Sequence, residues 1–362
     1  MCAVNRSMQQ ARENAFRQGR MEGYRLGGCR AVMERVTPAG PERSRLRILY
    51  VPQGFPTIDH GLIEALKQSA AEFASAGPAE MLETAQSWKP DLVLVLNALH
   101  VFPPEHAAHI DQLRSWGIRT AVWFVDDPYF TEFTLDLARH FDYVFTHEKS
   151  CVPYYEAGGC KEVHYLPLAA DLELFTPVET PRSYQSDVCF IGNAFWNRVA
   201  LIDELAPYLS TKKVVVVGSY WDRLSRYNEL RPFIRDGWAN PMETRFYYNG
   251  AKVVINLHRP AEYGLDNHNT AGLPGLSINP RTYEISACGT LQLTDVREDL
   301  HAYYRPGYDI ETYGTAGELR DKIEYYLGHE EERAQIAWRA LWTTRKNHSY
   351  KERIGRMLSI VK

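Results

Sequence analysis

Two doubly wound α/β domains in series, facing a cleft, are what this sequence predicts, and three observations predict them. From Arg45 onward, short apolar runs alternate with longer amphipathic stretches. The alternation stops in a polar stretch running to Ser186 and then restarts. The chain has 362 residues, 45% hydrophobic and 24% charged, which is the length of about two domains and the composition of an ordinary folded protein. Wholly apolar strands alternating with helices mark parallel strands covered on both faces.

Residues 1–44 stand apart. The stretch 5–36 is rich in Arg, Glu, Gln and Met, with Gly at 19, 23 and 27. Each interior Gly costs a helix about 1 kcal/mol, so this segment reads as a weak helical extension, solvated or frayed, that a partner or acceptor would dock in the less favoured reading. It ends at the breakers Thr37, Pro38, Ala39, Gly40 and Pro41. In 45–170, strands are predicted at Arg47–Val51, Asp91–Asn97, Thr120–Val125, Tyr143–Thr146 and Val163–Leu168. Helices are predicted at Gly61–Ala74, Pro104–Trp116 and Thr131–Arg139. The run Pro167–Pro177 is the linker. In 171–345 the strands are Asp187–Ile191, Lys213–Val217, Lys252–Leu257 and Thr290–Thr294. Their helices are Ala194–Leu209, Met242–Gly250, Arg281–Ala287 and Glu318–Leu327. From Glu330 to Lys362 two helices split near Asn347, and residues 346–362 form a terminal helix.

Composition removes several classes of function. No apolar run approaches the ~18 residues of a membrane span. Met1–Arg20 lack an apolar core, so a secretory signal is not expected and a cytoplasmic location is. A net charge of −4 argues against nucleic acid as a partner. The six cysteines form no Cys-x-x-Cys pair, and no His or carboxylate spacing suits a metal, so no protein-held metal is expected. Gly-x-Ser-x-Gly and Gly-Lys-Ser/Thr motifs are absent, which lowers hydrolase and ATPase readings.

Ligands of doubly wound sheets sit beyond the carboxyl ends of strands, beside helix N-termini. At one such end Asn279 is a good N-cap and Pro280 suits the first helical position. Arg281 in that first turn opposes the helix dipole, unless an anion binds there. A diphosphate would meet backbone N–H groups and the guanidinium fork together. Glu284 would accept bonds from sugar or ribose hydroxyls, or else complement the dipole with Arg281 as its local partner. At a second end, Gly192 lets backbone approach a ligand, Asn193 follows it, and Arg198 reaches a phosphate. Gly218 marks a similar turn. At a third end, Asn256 and His258 precede a long loop, 260–276, whose Tyr263, Asp266, Asn267, His268 and Asn269 suit either sugar hydroxyls or a plain surface excursion. In the first half, Asp126 and Asp127 end a strand and are candidates for a general base, although neighbours on a strand point apart, so one is structural. Pro52–Gly54 is a further candidate for the cleft wall. His100 and His147, each alone at a strand end, read as hydrogen-bonded structural residues.

The stretch Asn279–Gly289 with Leu293-Thr294-Asp295 resembles the signature of CgeB-like (spore-maturation) glycosyltransferases. The resemblance continues through Glu298-Asp299-Leu300, Pro306-Gly307, Glu311-Thr312-Tyr313, Glu318-Leu319, Tyr325-Tyr326-Leu327, Glu332-Arg333 and His348–Arg353. It includes Phe190–Asn193 and Asp126-Asp127-Pro128 and spans residues 45–358. It implies a GT-B fold: two Rossmann-like domains, a nucleotide-diphosphate sugar donor in the second, an acceptor glycan, protein or small molecule against the first, and a last helix crossing back. It implies chemistry without a bound metal or cofactor, with Arg281, Arg198 and the helix N-terminus stabilising the departing diphosphate. Related retaining enzymes hold the donor with two glutamates that have seven residues between them. Glu284 matches the second, and Leu276 stands where the first would be, leaving Asn279 and Arg281 to supply polar contacts. With retention, the departing phosphate takes the acceptor proton; with inversion, Asp126 or Asp127 is the base. A non-catalytic nucleotide- or sugar-binding protein on this fold is the competing reading, and a sugar isomerase or phosphorylase comes last.

Overall fold

The computed structural model describes Cys2–Val361 apart from Ala39, Pro41 and Glu42. The breaker residues Ala39 and Pro41 and the chain ends Met1 and Lys362 therefore lie outside the described residues. The first half carries β1 (Arg47–Val51), β2 (Glu72–Ser75), β3 (Leu92–Leu96), β4 (Arg119–Phe124), β5 (Tyr143–Thr146) and β6 (Glu162–Tyr165). These pair in parallel in the order β2-β1-β3-β4-β5-β6. The second half carries β7 (Ser186–Ile191), β8 (Val214–Gly218), β9 (Ile234–Asp236), β10 (Ala251–Asn256), β11 (Leu291–Asp295) and β12 (Glu311–Tyr313). Their order is β12-β11-β10-β7-β8-β9, again all parallel.

Helices follow the strands. After α1 (Cys2–Arg35) come α2 (Pro56–Ser69), α3 (Met81–Trp88), α4 (His106–Ser115), α5 (Thr131–Ala138) and α6 (Cys151–Ala157) around the first sheet. The second has α7 (Trp196–Leu209), α8 (Tyr227–Leu230), α9 (Pro241–Gly250), α10 (Pro280–Ala287), α11 (Leu300–Tyr303) and α12 (Ala316–Gly328), and the chain closes with α13 (Glu330–Asn347) and α14 (Tyr350–Ile360). Every residue of β3, a Leu/Val run, is buried, as a parallel strand covered on both faces requires. Helix starts are chemically marked. Asn240 and Glu243 form a capping box on α9, Thr315 caps α12 and Ser349 caps α14.

Three strands lie outside the sequence expectation. β2 occupies residues assigned to a helix over Gly61–Ala74, because pairing with β1 overrides the helical preference of an Ala- and Glu-rich stretch. β9 and β12 have three residues each, too few for any periodic signal.

α14 returns to the first half. Ala170 N–H donates to His348 O at 3.0 Å, and Arg353 Nε donates to Pro167 O at 3.0 Å. Tyr350 packs so closely on Gly61 of α2 that a Cβ there would lie 2.4 Å from the ring. α1 departs from the picture of a solvated extension. Residues 15–20 are exposed, but Cys29 is fully buried and Gly28 lies flat on the Trp338 indole, where a Cβ would come within 2.0 Å. Trp338 Nε1 donates to Arg25 O at 3.0 Å, and Arg25 Nη1 donates to Cys288 O at 3.3 Å, fastening α1 to α13 and to the end of α10. No helix among the described residues is long and apolar enough to cross a membrane.

Candidate active site

The carboxyl ends of the two sheets face one another across a cavity of about 410 Å³. The second half contributes Ile191–Asn193 after β7, Gly218 at the end of β8, Gly237–Ala239 after β9 and the first turns of α10. The first half contributes Phe55–Ile58 after β1, Val125 and Asp126 after β4, and His147 after β5. Gly192 and Gly218 both have positive φ, 152° and 146°. A Cβ on Gly218 would lie 2.1 Å from Gly192 O, so the two turns stack only because Gly218 carries no side chain.

Arg198 is 1% exposed and forms no ion pair with a carboxylate among the described residues. Its Nη2 donates to Leu257 O at 2.9 Å and its Nη1 to Asn193 O at 2.9 Å, with Phe195 stacked 4.8 Å from the guanidinium. Burial, then the charge of Arg281, pull its pKa below the ordinary value. Arg281 forms no ion pair and donates no side-chain hydrogen bond among the described residues. A Cβ on Gly192 would lie 2.8 Å from Arg198 Nη1 and 3.4 Å from Arg281 Nη2, so both guanidinium groups converge on this glycine. The local Arg281–Glu284 pair is not formed. Glu284 lines the cavity at 6% exposure, and burial raises its pKa to about 7 against the lowering pull of Arg281. Pro280 has no N–H and Asn279 caps Thr282 N at 3.1 Å, so Arg281 N–H is the uncapped donor of the first turn.

Asp126 reaches the cavity from the first half. Asn97 orients it, donating from Nδ2 to Asp126 Oδ2 at 3.0 Å and accepting from Asp126 N at Oδ1. Burial raises its pKa, and Arg259 opposes the shift. Arg259 comes from the second half and stacks 4.4 Å from the Tyr129 ring and 4.7 Å from Phe195. His147 is the residue sequence reasoning undervalued. It is 5% exposed, lines the cavity, and neither ring nitrogen has a hydrogen-bond partner among the described residues. Burial lowers its pKa to about 4, leaving a neutral imidazole with a donor and an acceptor to offer. Trp238, 68% exposed, forms part of the cavity wall below β9. Neither residue carries a local motif; each is found only by where its strand ends.

Several predicted residues serve the framework instead. Asp127, the second candidate base, does not line the cavity. It turns into the first half, where Thr146 Oγ1 donates to it at 2.6 Å and Tyr155 OH at 2.9 Å, and burial raises its pKa to about 7. Asn256, 1% exposed, is consumed by Asn279, Thr282 and Gln292 and does not line the cavity. His258 joins Asp295, at 2.5 Å from Nδ1, to Asn279 N, which donates to Nε2 at 3.0 Å. It is thus a fully engaged, neutral strut for the α10 cap. Asn279 itself lines the cavity, with its side chain spent on the cap. Gln53 bonds Leu99 O at 2.6 Å, leaving Phe55–Ile58 to form the wall.

The loop 260–276 folds on its own polar groups and clasps the first half. Asn269 Nδ2 donates to Ala261 O at 2.7 Å, Asp266 accepts from Trp196 N at 2.9 Å, and His268 N donates to Tyr129 O at 2.8 Å. At Leu276, the backbone N–H donates at 3.1 Å to Glu148, whose carboxylate also accepts from Ser277 N at 3.1 Å. A buried carboxylate therefore does lie at this point, supplied by the other half of the molecule.

With this geometry, the chain has a GT-B fold of two Rossmann-like halves. Solved structures share it: sucrose-phosphate synthase from Thermosynechococcus elongatus, at 12% identity and TM-score 0.59, covers 88% of this chain and 99% of its own. Anabaena Alr3699/HepE in complex with UDP and glucose, at 12% identity and TM-score 0.60, covers 87% of this chain and 100% of its own. Residues 198–359 match the model of a glycosyl transferase-like family. Spore protein CgeB of Bacillus subtilis (strain 168) is 30% identical over 300 residues, 81% of this chain and 91% of that protein. The chain belongs to the CgeB family of glycosyltransferase-like proteins.

Proposed function

We propose that this protein transfers a sugar from a nucleoside-diphosphate sugar to an acceptor bound in the cleft. The observation that carries the reading is the pair Arg198 and Arg281, two guanidinium groups converging on Gly192 at a helix N-terminus with no carboxylate paired to either. Like charges left together and unpaired make a site for a polyanion, and a diphosphate supplies it. Developing negative charge on the departing diphosphate would be met by both arginines and by Arg281 N–H, which is electrostatic stabilisation of the transition state. Glu284 would accept from a donor hydroxyl, and the Trp238 ring offers a surface for a flat base. On the opposite wall, Asp126 and the neutral His147 would position the acceptor hydroxyl. The reaction would retain configuration, the departing phosphate taking the acceptor proton, and would need no divalent ion, since two fixed guanidinium groups neutralise the diphosphate. HepE, which was solved with UDP and glucose, supports the donor class by analogy of fold.

The test is thermal melting with a panel of nucleoside diphosphates and their sugars, with EDTA or with magnesium, followed by an assay for release of the nucleoside diphosphate. At 100 times Kd a ligand adds about 2.7 kcal/mol of stability. A shift selective for one base, undiminished by EDTA and accompanied by turnover, is the expected result. Absence of any shift, or a shift that needs magnesium, overturns the reading; a shift without turnover favours a non-catalytic binding protein.

A further inference from the structure

A second cavity, of about 350 Å³, lies at the opposite end of the second sheet from the cleft. It is bounded by the amino ends of β7, β10 and β11 and is roofed by α1. The six residues of β7 separate the two cavities by roughly 17 Å at about 3.3 Å per residue. Three features mark it as built for a ligand. First, Ser186 and Thr290, 6% and 2% exposed, both line it, and neither hydroxyl has a hydrogen-bond partner among the described residues. Buried hydroxyls without partners are costly unless something else engages them. Second, its charge is unbalanced. Five cations and three carboxylates line it. Asp187 is taken by Lys252 at 2.7 Å and Glu22 by Arg25 at 3.3 Å, leaving Glu330 against Arg17, Lys213 and Arg333. Third, Met21, Tyr24, Ala334 and Ala337 give it an apolar wall. A ligand with an anionic head and a compact body matches all three.

We propose that the cavity beneath α1 is a second small-molecule site, taking a small organic anion with a phosphate or carboxylate group. This assignment does not rest on glycosyl transfer. The test is calorimetric titration of the full-length protein with 3-phosphoglycerate, glucose 6-phosphate and citrate, with glucose as the neutral comparison. The expected result is binding of at least one anion with Kd below about 1 mM, and none of glucose. Ser186→Ala with Thr290→Val should weaken that binding by roughly tenfold or more, as loss of hydrogen bonds to a charged group does. The same double variant should melt no lower than the wild type, because the deleted hydroxyls have no protein partner. Lys213→Glu should also weaken binding, and Arg281→Ala, in the cleft, should leave it unchanged. Failure of all three anions to bind overturns the proposal, as does binding that survives the hydroxyl variant and is lost with Arg281→Ala.

Discussion

Replacing Arg281 by Ala separates a ligand site from a structural ion cluster. Placed 2.8 and 3.4 Å from one point above Gly192, the Arg198 and Arg281 nitrogens lie within about 6 Å of each other. At that separation two like charges repel by roughly 0.7–3 kcal/mol, between a water-like dielectric and that of a protein surface. Against this, Arg281 makes no ion pair or side-chain hydrogen bond among the described residues and returns only its longer-range attraction to the buried, partly protonated Glu284. The unliganded Arg281→Ala protein should therefore melt at the wild-type temperature or above it. Binding should move the other way. Charge-assisted bonds to a diphosphate are each worth about 1.5–3 kcal/mol, which is about a 10- to 150-fold loss in affinity. Calorimetry with the nucleoside diphosphate that gives the largest melting shift, and with its nucleoside as the phosphate-free comparison, reads this directly. Nucleotide affinity should fall by that factor while nucleoside binding stays the same. If the variant binds that nucleotide within about twofold of wild type, or if it loses more than about 1 kcal/mol of stability without ligand, Arg281 is a structural residue and the diphosphate assignment fails.

Three further outcomes are expected. Glu284, raised from 4.5 to about 7, makes the folded state bind more protons than the unfolded one between those values, so stability falls as pH rises through that window. Glu284→Gln should then be more stable than wild type above pH 7, by up to about 3 kcal/mol, and equal to it near pH 4, as urea melts at pH 4, 6 and 8 would register. Gly218→Ala drives a methyl against Gly192 O and should cost about 1–3 kcal/mol in the same melts and weaken binding of the selected nucleoside diphosphate as well, because the β7 turn must move. Glu148→Ala leaves Leu276 N and Ser277 N without an acceptor and should lower stability by about 1–3 kcal/mol or more, with hydrogen exchange rising first in the 260–277 segment.

What could be read from the chain follows from where physical signals are local. β1 and β5 match their predicted limits because both are bounded apolar runs. The α10 start was legible in Asn279-Pro280, since a cap and a first-turn proline act within one turn. Arg281 was singled out for the same reason, as its conflict with the dipole is visible in sequence. Edge strands β2, β9 and β12 were not legible, since their pairing partners, more than their own residues, make them strands. The same limit separates Asp126 from Asp127. Adjacent carboxylates look alike until Asn97 holds one toward the cavity while Thr146 and Tyr155 hold the other away. From sequence His147 reads as satisfied because a histidine at a strand end usually is, and only the assembled cavity shows two ring nitrogens without partners among the described residues. Glu148 was invisible from the side of Leu276, because 128 positions separate the two in the chain.

The halves are joined along a seam beside the cavity: the bridge of Ala170 to Ser349 under α14, Tyr165 OH donating to Asp299 at 2.6 Å, Glu148 accepting from Leu276 N and Ser277 N, and the clasp of the 260–276 loop on Tyr129 and Thr131. A joint stitched at several points resists sliding and twisting of one wall past the other. Removing the Thr131 hydroxyl, which accepts from Ala271 N at 3.2 Å, would slacken the loop end of that seam while its other contacts hold, giving the walls fewer ways to close in register. The loop would then govern turnover from outside the cavity, by deciding how reproducibly two correctly built walls meet.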